Sequence, residues 1–588
     1  SGNVEDAFHM QQYDTLQPLL DSIESGAVAP ISGRWLVELH RRGGRVSRRQ
    51  DLPPEAFLSA QSLRRLAAAL GEYFGLCFVA LSYRWLTKMH PDPDGFHLDI
   101  VAFFARKYLD LPSDRSSSSL RSESRSPLSA AFRSESPGEE VHGPGAANGQ
   151  EPLQLDFGIF WDFASLYQPP RSMEESELFR LGLQASNIWY GHKDTVVWLQ
   201  SELPADFDGA SYLVSGWCFT EAALSSCIKR GGRRIDCKRR ANIEVVSLAE
   251  CCYGNPNVKD ECRLDVVCAS SRPAPLWPSD MRRRLEQEKT FTNRGDVSIV
   301  AGMYAHYFEC VTRSTTRLSY RVEWDMAELL DLVDVLPTFR NLLELDLQHS
   351  RFPHEVRTDV GRVLGECILS SLPKLATLAL DEVPSGLKGL GSSGLPVQEL
   401  RGTVLCPKLD LSGCGIRDTA VAALAILLEG NASLVELDLR FNRVSDAGGR
   451  VLADAILRRP SLKVFGGLRL DMLRGGTLTE LNASNETLMM AEFIVLFRLL
   501  PACTMLERLD LSFNGFVAVH AVLLASLLDD ARGSSSPDGT SRQYHALPAL
   551  ALVDLRHNPI DDKPRADEKE EVEQARLALR VAAKRRSL

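Results

Sequence analysis

The stretch SGWCFTEAAL, Ser215 to Leu224, sets one carboxylate, Glu221, among Trp217, Phe219, Ala222, Ala223 and Leu224. The pattern opens a helix that wants burial. Either Glu221 caps backbone N–H groups in a first helical turn, where the helix dipole favours an anion, or it does chemistry. Other constellations give less. HPDPDG (90–95) imitates the start of a calcium loop, with Asp92, Asp94 and Gly95 at the third, fifth and sixth places. His90 at the first place and Val101 at the twelfth argue against calcium. Cys251, Cys252, Cys262 and Cys268 form the densest thiol group but contain no C-x-x-C, so ordinary thiols outrank a zinc site and no metal is expected. The chain has no G-x-x-x-x-G-K-[ST], H-E-x-x-H or G-x-S-x-G pattern, which removes a P-loop ATPase and the common hydrolase assignments.

The elements that must position Glu221 alternate. LCFVALSYRW (76–85) is a continuous apolar run and reads as a buried strand. Helical spacing follows at 96–111, where Phe96, Ile100, Phe103, Phe104 and Tyr108 recur. Residues 112–152 are rich in Ser, Arg, Gly and Pro and read as a disordered insertion. LQLDFGIFWDF (153–163) predicts a second strand. A helix from near Ser172 follows, then DTVVWL (194–199) as a third strand. The Glu221 helix is expected to close at Gly231 and Gly232, before IEVVSL (243–248) as a fourth strand. Alternating apolar strands and helices predict an α/β open parallel sheet, with its working surface outside the carboxyl ends of the strands.

From about 335 leucines recur in a fixed phrase: LLELDLQHS, LATLALDEV, LDLSGCGI, LVELDLRFNRV, LERLDLSFNGF and LALVDLRHNPI. Leu411 and Leu439 are 28 residues apart, the period of a strand-plus-helix leucine-rich repeat. Asn442, Asn514 and Asn558 each follow a strand leucine by three, where an amide can satisfy backbone groups at the turn. The gap between 444 and 506 is expected to hide one or two degenerate units, and 532–543 reads as a loop insertion.

Bulk properties bound the rest. A chain of 588 residues needs more than one core. Its net charge of −10 gives no global reason to expect nucleic acid or an anionic membrane. No apolar run approaches a membrane span. The 13 Cys, odd and scattered, suggest reduced thiols and a cytoplasmic setting. The opening SGNVEDAFHM, which does not begin with Met and has no apolar signal region, reads as the start of a fragment from which a targeting segment could be missing.

On these residues the first part of the chain resembles a TIR domain, and the second resembles ribonuclease-inhibitor-type leucine-rich repeats. FVALSYRW resembles the opening TIR strand, with Ser82, Tyr83 and Arg84 at its end and Trp85 where many members have Gly. FGIFWDFASLYQPP resembles the second strand and its loop, with Asp162 at the usual acidic position. GWCFTEAAL carries Trp217, Cys218 and Glu221 in a W-C-x-x-E element. The segment 276–312 has no family counterpart; its Tyr304, Tyr307 and Phe308 suggest a helix packing on the domain.

The resemblance implies a flavodoxin-like parallel-sheet TIR-like domain plus an α/β repeat horseshoe. The expected divisions are a helical region at 1–70, the TIR-like domain at 71–250, a helical extension or linker at 251–334, repeats at 335–562 and a charged helix at 563–588. It also implies two roles. The repeats would bind a protein partner on their concave strand face, with Glu436, Asp438, Arg440, Arg508, Asp510 and Ser512 as candidate contacts, while the TIR-like domain associates with its own kind in signal transduction. Alternatively, the domain would hydrolyse NAD as a substrate, with Glu221 as catalytic carboxylate. Breaking the nicotinamide–ribose bond builds positive charge on the ribose, as in glycoside hydrolysis. Ser82, Tyr83, Arg84, Trp85, Asp162 and Trp217 would then line the site, with 162–167 as a mobile loop above it and Trp85, Trp161 and Trp217 as candidates to stack on a ring. No bound cofactor is otherwise expected.

Overall fold

The computed structural model describes residues 12–109, 111, 154–229, 233–239, 272–320, 322–348, 350–380, 394–529, 547–559 and 569–586. The expected insertion at 112–152, the strand at 243–248, the helix stop at Gly231 and Gly232, the four clustered cysteines and the loop at 532–543 lie outside them. Two units form, Ser1–Ser319 with Thr338–Asn341, and Tyr320–Pro337 with Leu342–Leu588. Among the described residues no helix is long and apolar enough to cross a membrane.

Among the described residues the central sheet of the first unit has five strands: β1 (Ile31–Ser32), β2 (Phe78–Tyr83), β3 (Gly158–Phe160), β4 (Val196–Gln200) and β5 (Arg234–Asp236). Their order is β1-β3-β2-β4-β5. β2 to β5 are parallel, and β1 joins β3 antiparallel at the edge. The four parallel strands thus run in the flavodoxin-like order, with β2 inside and the direction of winding reversing between β2 and β4. The composition explains the parallel core: every residue of β2 and β4 is buried, as expected for strands covered on both faces. β1 is an edge strand that the sequence pattern did not separate from the surrounding helices, because two residues carry no periodicity.

The described helices of this unit are α1 (Gln17–Glu24), α2 (Gly33–Arg41), α3 (Ala60–Leu70), α4 (Phe96–Tyr108), α5 (Asp162–Ser165, one turn), α6 (Met173–Gly191), α7 (Gly216–Cys227), α8 (Pro278–Gln287) and α9 (Asp296–Ser314). Ser172 starts α6 as read from the sequence: its hydroxyl accepts from Glu175 N while Glu175 reaches back to Ser172 N. Asp92 accepts from His97 N and Leu98 N, so the calcium-like HPDPDG segment serves the start of α4. α6, α7 and α9 pack together. Gly191 leaves room for the Tyr307 ring, and Tyr307 donates to Leu224 O at 2.9 Å, tying α9 to α7. Tyr304, Tyr307 and Phe308 are all buried.

In the second unit each LxLDL phrase is a three-residue strand. Lys408–Asp410, Glu436–Asp438 and Val464–Phe465 pair in parallel at a 28-residue step. Glu480–Asn482, Arg508–Asp510 and Leu552–Asp554 form a second parallel set, and Glu344–Asp346 pairs with Thr377–Ala379. The gap between 444 and 506 holds three strands, Val464–Phe465, Leu468–Arg469 and Glu480–Asn482, of which the second returns antiparallel to the first. The asparagines act as a ladder. Asn514 donates to Ala483 O and Leu511 O and accepts from Leu488 N at 2.9 Å; Asn442 and Asn558 bridge neighbouring repeats in the same way.

Candidate functional site

The carboxyl end of β2 lies where the sheet reverses its winding, and three groups meet there. Ser82, fully buried, donates to Glu221 Oε2 at 2.6 Å. Its single proton is then committed, so the 2.5 Å contact with Tyr212 is one in which the phenol donates. The result is a chain Tyr212 to Ser82 to Glu221 joining β2 to both ends of the segment 212–221. Cys218, one turn before Glu221 on α7, sits against Tyr83 O at 3.2 Å. Tyr190 donates to Leu81 O at 3.0 Å beside the same carboxyl.

A second carboxylate stands nearby. Asp162 opens α5 after β3 and accepts from Tyr83 OH at 2.6 Å and from Trp85 Nε1 at 3.0 Å. Both of its oxygens are thereby used, and Asp162 braces the exit of β2 against the exit of β3.

Burial dominates the electrostatics. It pushes Glu221 up to about 8, against the hydrogen bond from Ser82, and the charge of Asp162 adds to the rise. Asp162 is also raised by burial, against its bonds from Tyr83 and Trp85. Both residues nonetheless keep partial exposure. At neutral pH burial therefore favours the neutral acid at Glu221, and a cation placed beside it would restore the anion.

Glu221 is the sixth residue of α7, whose first turn contains no acid. The capping role open on sequence grounds is thus replaced by a side-chain partner on another element. Ser82, Tyr83, Trp85, Asp162 and Glu221 converge. Arg84 turns to Ala210 O at 3.3 Å. Trp217 shares a helix face with Glu221 at four residues' spacing but is held by Asp296 Oδ2 at 3.1 Å. Trp161 is fully buried and edge-on to Tyr83, so it is core rather than a stacking platform. The stretch 162–167, expected as a mobile loop, is a packed turn in which Phe163, Ala164, Ser165 and Leu166 are buried.

The sequence reading missed Tyr212 and Asp296. Tyr212 was legible as an aromatic five residues before Trp217, in a segment otherwise poor in them. Asp296 had no such signal. It belongs to the extension, whose connector between α8 and α9 crosses the start of α7: Thr290 N donates to Val214 O at 2.8 Å, and Gly216 N donates to Thr290 O at 2.9 Å. Phe291 rests where a Cβ on Gly216 would stand, and Lys289 lies 4.1 Å from the centre of the Phe219 ring.

In the second unit the strands alternate. Leu437 and Leu509 are buried, while Glu436, Asp438, Arg440, Arg508 and Asp510 keep exposure on the other side. Ser512 is buried and bonds Asp510, so it is not a free contact. Lys408 pairs with Glu436 at 2.7 Å, and Arg440 with Asp438 at 2.7 Å.

Residues 408–425, 430–453 and 502–517 match the Leucine Rich repeat family. All three stretches lie in the second unit, which therefore carries leucine-rich repeats. No curated protein matches the chain.

Proposed function

We propose that this chain is an intracellular recognition and signalling protein. Its repeats bind a protein partner through their strand face, and its TIR-like unit associates with other copies. The observation that carries the reading is the register of the repeat strands. Outward side chains such as Lys408, Glu436 and Asp438 form a row at strand spacing, suited to reading a protein surface. Sedimentation of the full chain over a wide concentration range tests the association. Concentration-dependent assembly that survives Glu221→Ala is expected; a strict monomer at the highest concentration rejects it.

A second reading is favoured by one observation: Glu221 is partly exposed and is held by a polar side chain from another element. Its half-buried carboxyl meets Ser82 at the sheet's reversal point, with Asp162 nearby. That supports cleavage of the nicotinamide–ribose bond of NAD. Glu221 would stabilise the charge developing on the ribose, Ser82 would orient the carboxyl, and Trp85 would offer a partly exposed ring. Nicotinamide release by the purified full chain, abolished in Glu221→Gln, is the expected result. No release at high protein concentration leaves the association reading alone standing.

A further inference from the structure

The run of parallel repeat strands breaks at a glycine pair. Val464–Phe465 pairs in parallel with Glu436–Asp438, but the chain then turns at Gly466 and Gly467 and returns antiparallel as Leu468–Arg469. Phe465 lies opposite Leu437, so Gly466 follows where the previous repeat has Asp438. Both glycines take positive φ, 50° and 89°, a conformation that a Cβ disfavours. A carboxyl group fills the space that a side chain would need. A Cβ on Gly466 would stand 2.6 Å from Oε1 of Glu492, which reaches the turn from the helix Met490–Leu499.

Glu492 is 1% exposed. Its Oε2 accepts from Met489 N at 3.2 Å, and its Oε1 has no hydrogen-bond partner among the described residues. A buried oxygen without a donor disfavours the ionised form far more than the protonated one. Burial accordingly pushes Glu492 up to about 7; backbone N–H groups and Arg440 oppose the rise, and the charge of Asp438 adds to it.

Arg440 is the cation whose charge reaches this carboxyl. It holds Asp438 at 2.7 Å and donates through Nη1 to Glu486 O at 2.9 Å. The same Nη1 lies 3.6 Å from where a Cβ on Gly467 would stand, and Glu486 Oε2 lies 2.8 Å from that point. Charged groups on the helices packed beside Met490–Leu499 are engaged elsewhere: Asp446 with Arg450, Asp454 with Arg498, and the buried His520 with Val517 N and Met490 Sδ. One glycine turn thus stands between a buried acid and an arginine committed to two other partners.

We propose that the Gly466–Gly467 turn is a proton-controlled joint: loss of the Glu492 proton to solvent draws Arg440 away from Asp438 and Glu486 and opens the turn. Asp438 and Arg440 lie on the exposed side of the repeat strands. In the protein-binding reading, on which this consequence rests, the joint makes that face respond to pH.

The test is hydrogen–deuterium exchange of the full chain at pH 6 and pH 8, read by mass spectrometry on the peptide spanning 462–470 and corrected for intrinsic rates. The folded value of Glu492 is raised from 4.5 to about 7, so its contribution to the closed turn is complete below pH 4.5 and is lost as the pH rises through 7. Exchange should be about tenfold faster at pH 8 than at pH 6, while the strand Arg508–Asp510, in another sheet, stays unchanged. Glu492→Gln cannot ionise and should abolish the difference. Asp438→Asn keeps an acceptor for Arg440 N but removes a negative charge near Glu492, so the midpoint of opening should move to lower pH. Equal exchange at both pH values, a difference that persists in Glu492→Gln, or a midpoint that stays or rises in Asp438→Asn overturns the joint. None of these measurements needs a protein partner, so a failure of the protein-binding reading would be seen separately.

Discussion

Ser82 and Glu221, 139 residues apart in sequence, meet at 2.6 Å at the carboxyl end of the central strand. Ser82 is the only link between the Tyr212 hydroxyl and that carboxyl in the hydrogen-bond chain described above. Ser82→Ala should therefore strand one buried phenol and remove a donor that favours the carboxylate. The expected cost is about 1–3 kcal/mol in urea unfolding. The Glu221 carboxyl, followed by carbon NMR, should titrate above its position in the unaltered chain. A midpoint that stays put or falls would show that Ser82 does not hold the acid.

The pH dependence of stability follows from the same carboxyl. Its folded pKa is raised from 4.5 to about 8, so between those values the folded chain keeps a proton that the unfolded chain has released. Its stabilising contribution is complete below about pH 4.5 and is lost as the pH rises towards 8. Relative to Glu221→Gln, which does not titrate, the unaltered chain should lose on the order of 1 kcal/mol across this window, because the residue keeps some contact with water. A difference between the two proteins that is flat from acid to mild alkali contradicts this.

Gly216 admits the Phe291 ring and lets the connector pair with α7. Gly216→Ala should displace Phe291 and loosen the segment around Thr290. Faster chymotryptic cleavage there, with the rest of the chain intact, is the expected outcome. An unchanged digestion rate would mean that the ring does not depend on the missing Cβ.

In the repeats, Asn514→Ala deletes an amide that joins Ala483, Leu488 and Leu511. Those backbone groups would be left buried without their partner. A loss of about 2–3 kcal/mol is expected in chemical denaturation, against near-neutrality for Arg508→Ala, whose side chain is mostly in water. Equal effects at the two positions would remove the ladder's structural role.

The sequence by itself determined whatever rests on local periodicity and cap chemistry. The apolar runs became β2, β3 and β4, Ser172 became a cap, and the 28-residue phrase became a ladder of strands with asparagines at its turns. Each of these needs only neighbours a few residues away or a repeat of the same unit. Tertiary structure alone decided the rest. It made Glu221 the partner of Ser82 instead of a helix cap, turned Trp161 into core, and gave Trp217 to Asp296. Those meetings join residues on separate elements, and a linear pattern records what a side chain is without recording what the fold sets against it.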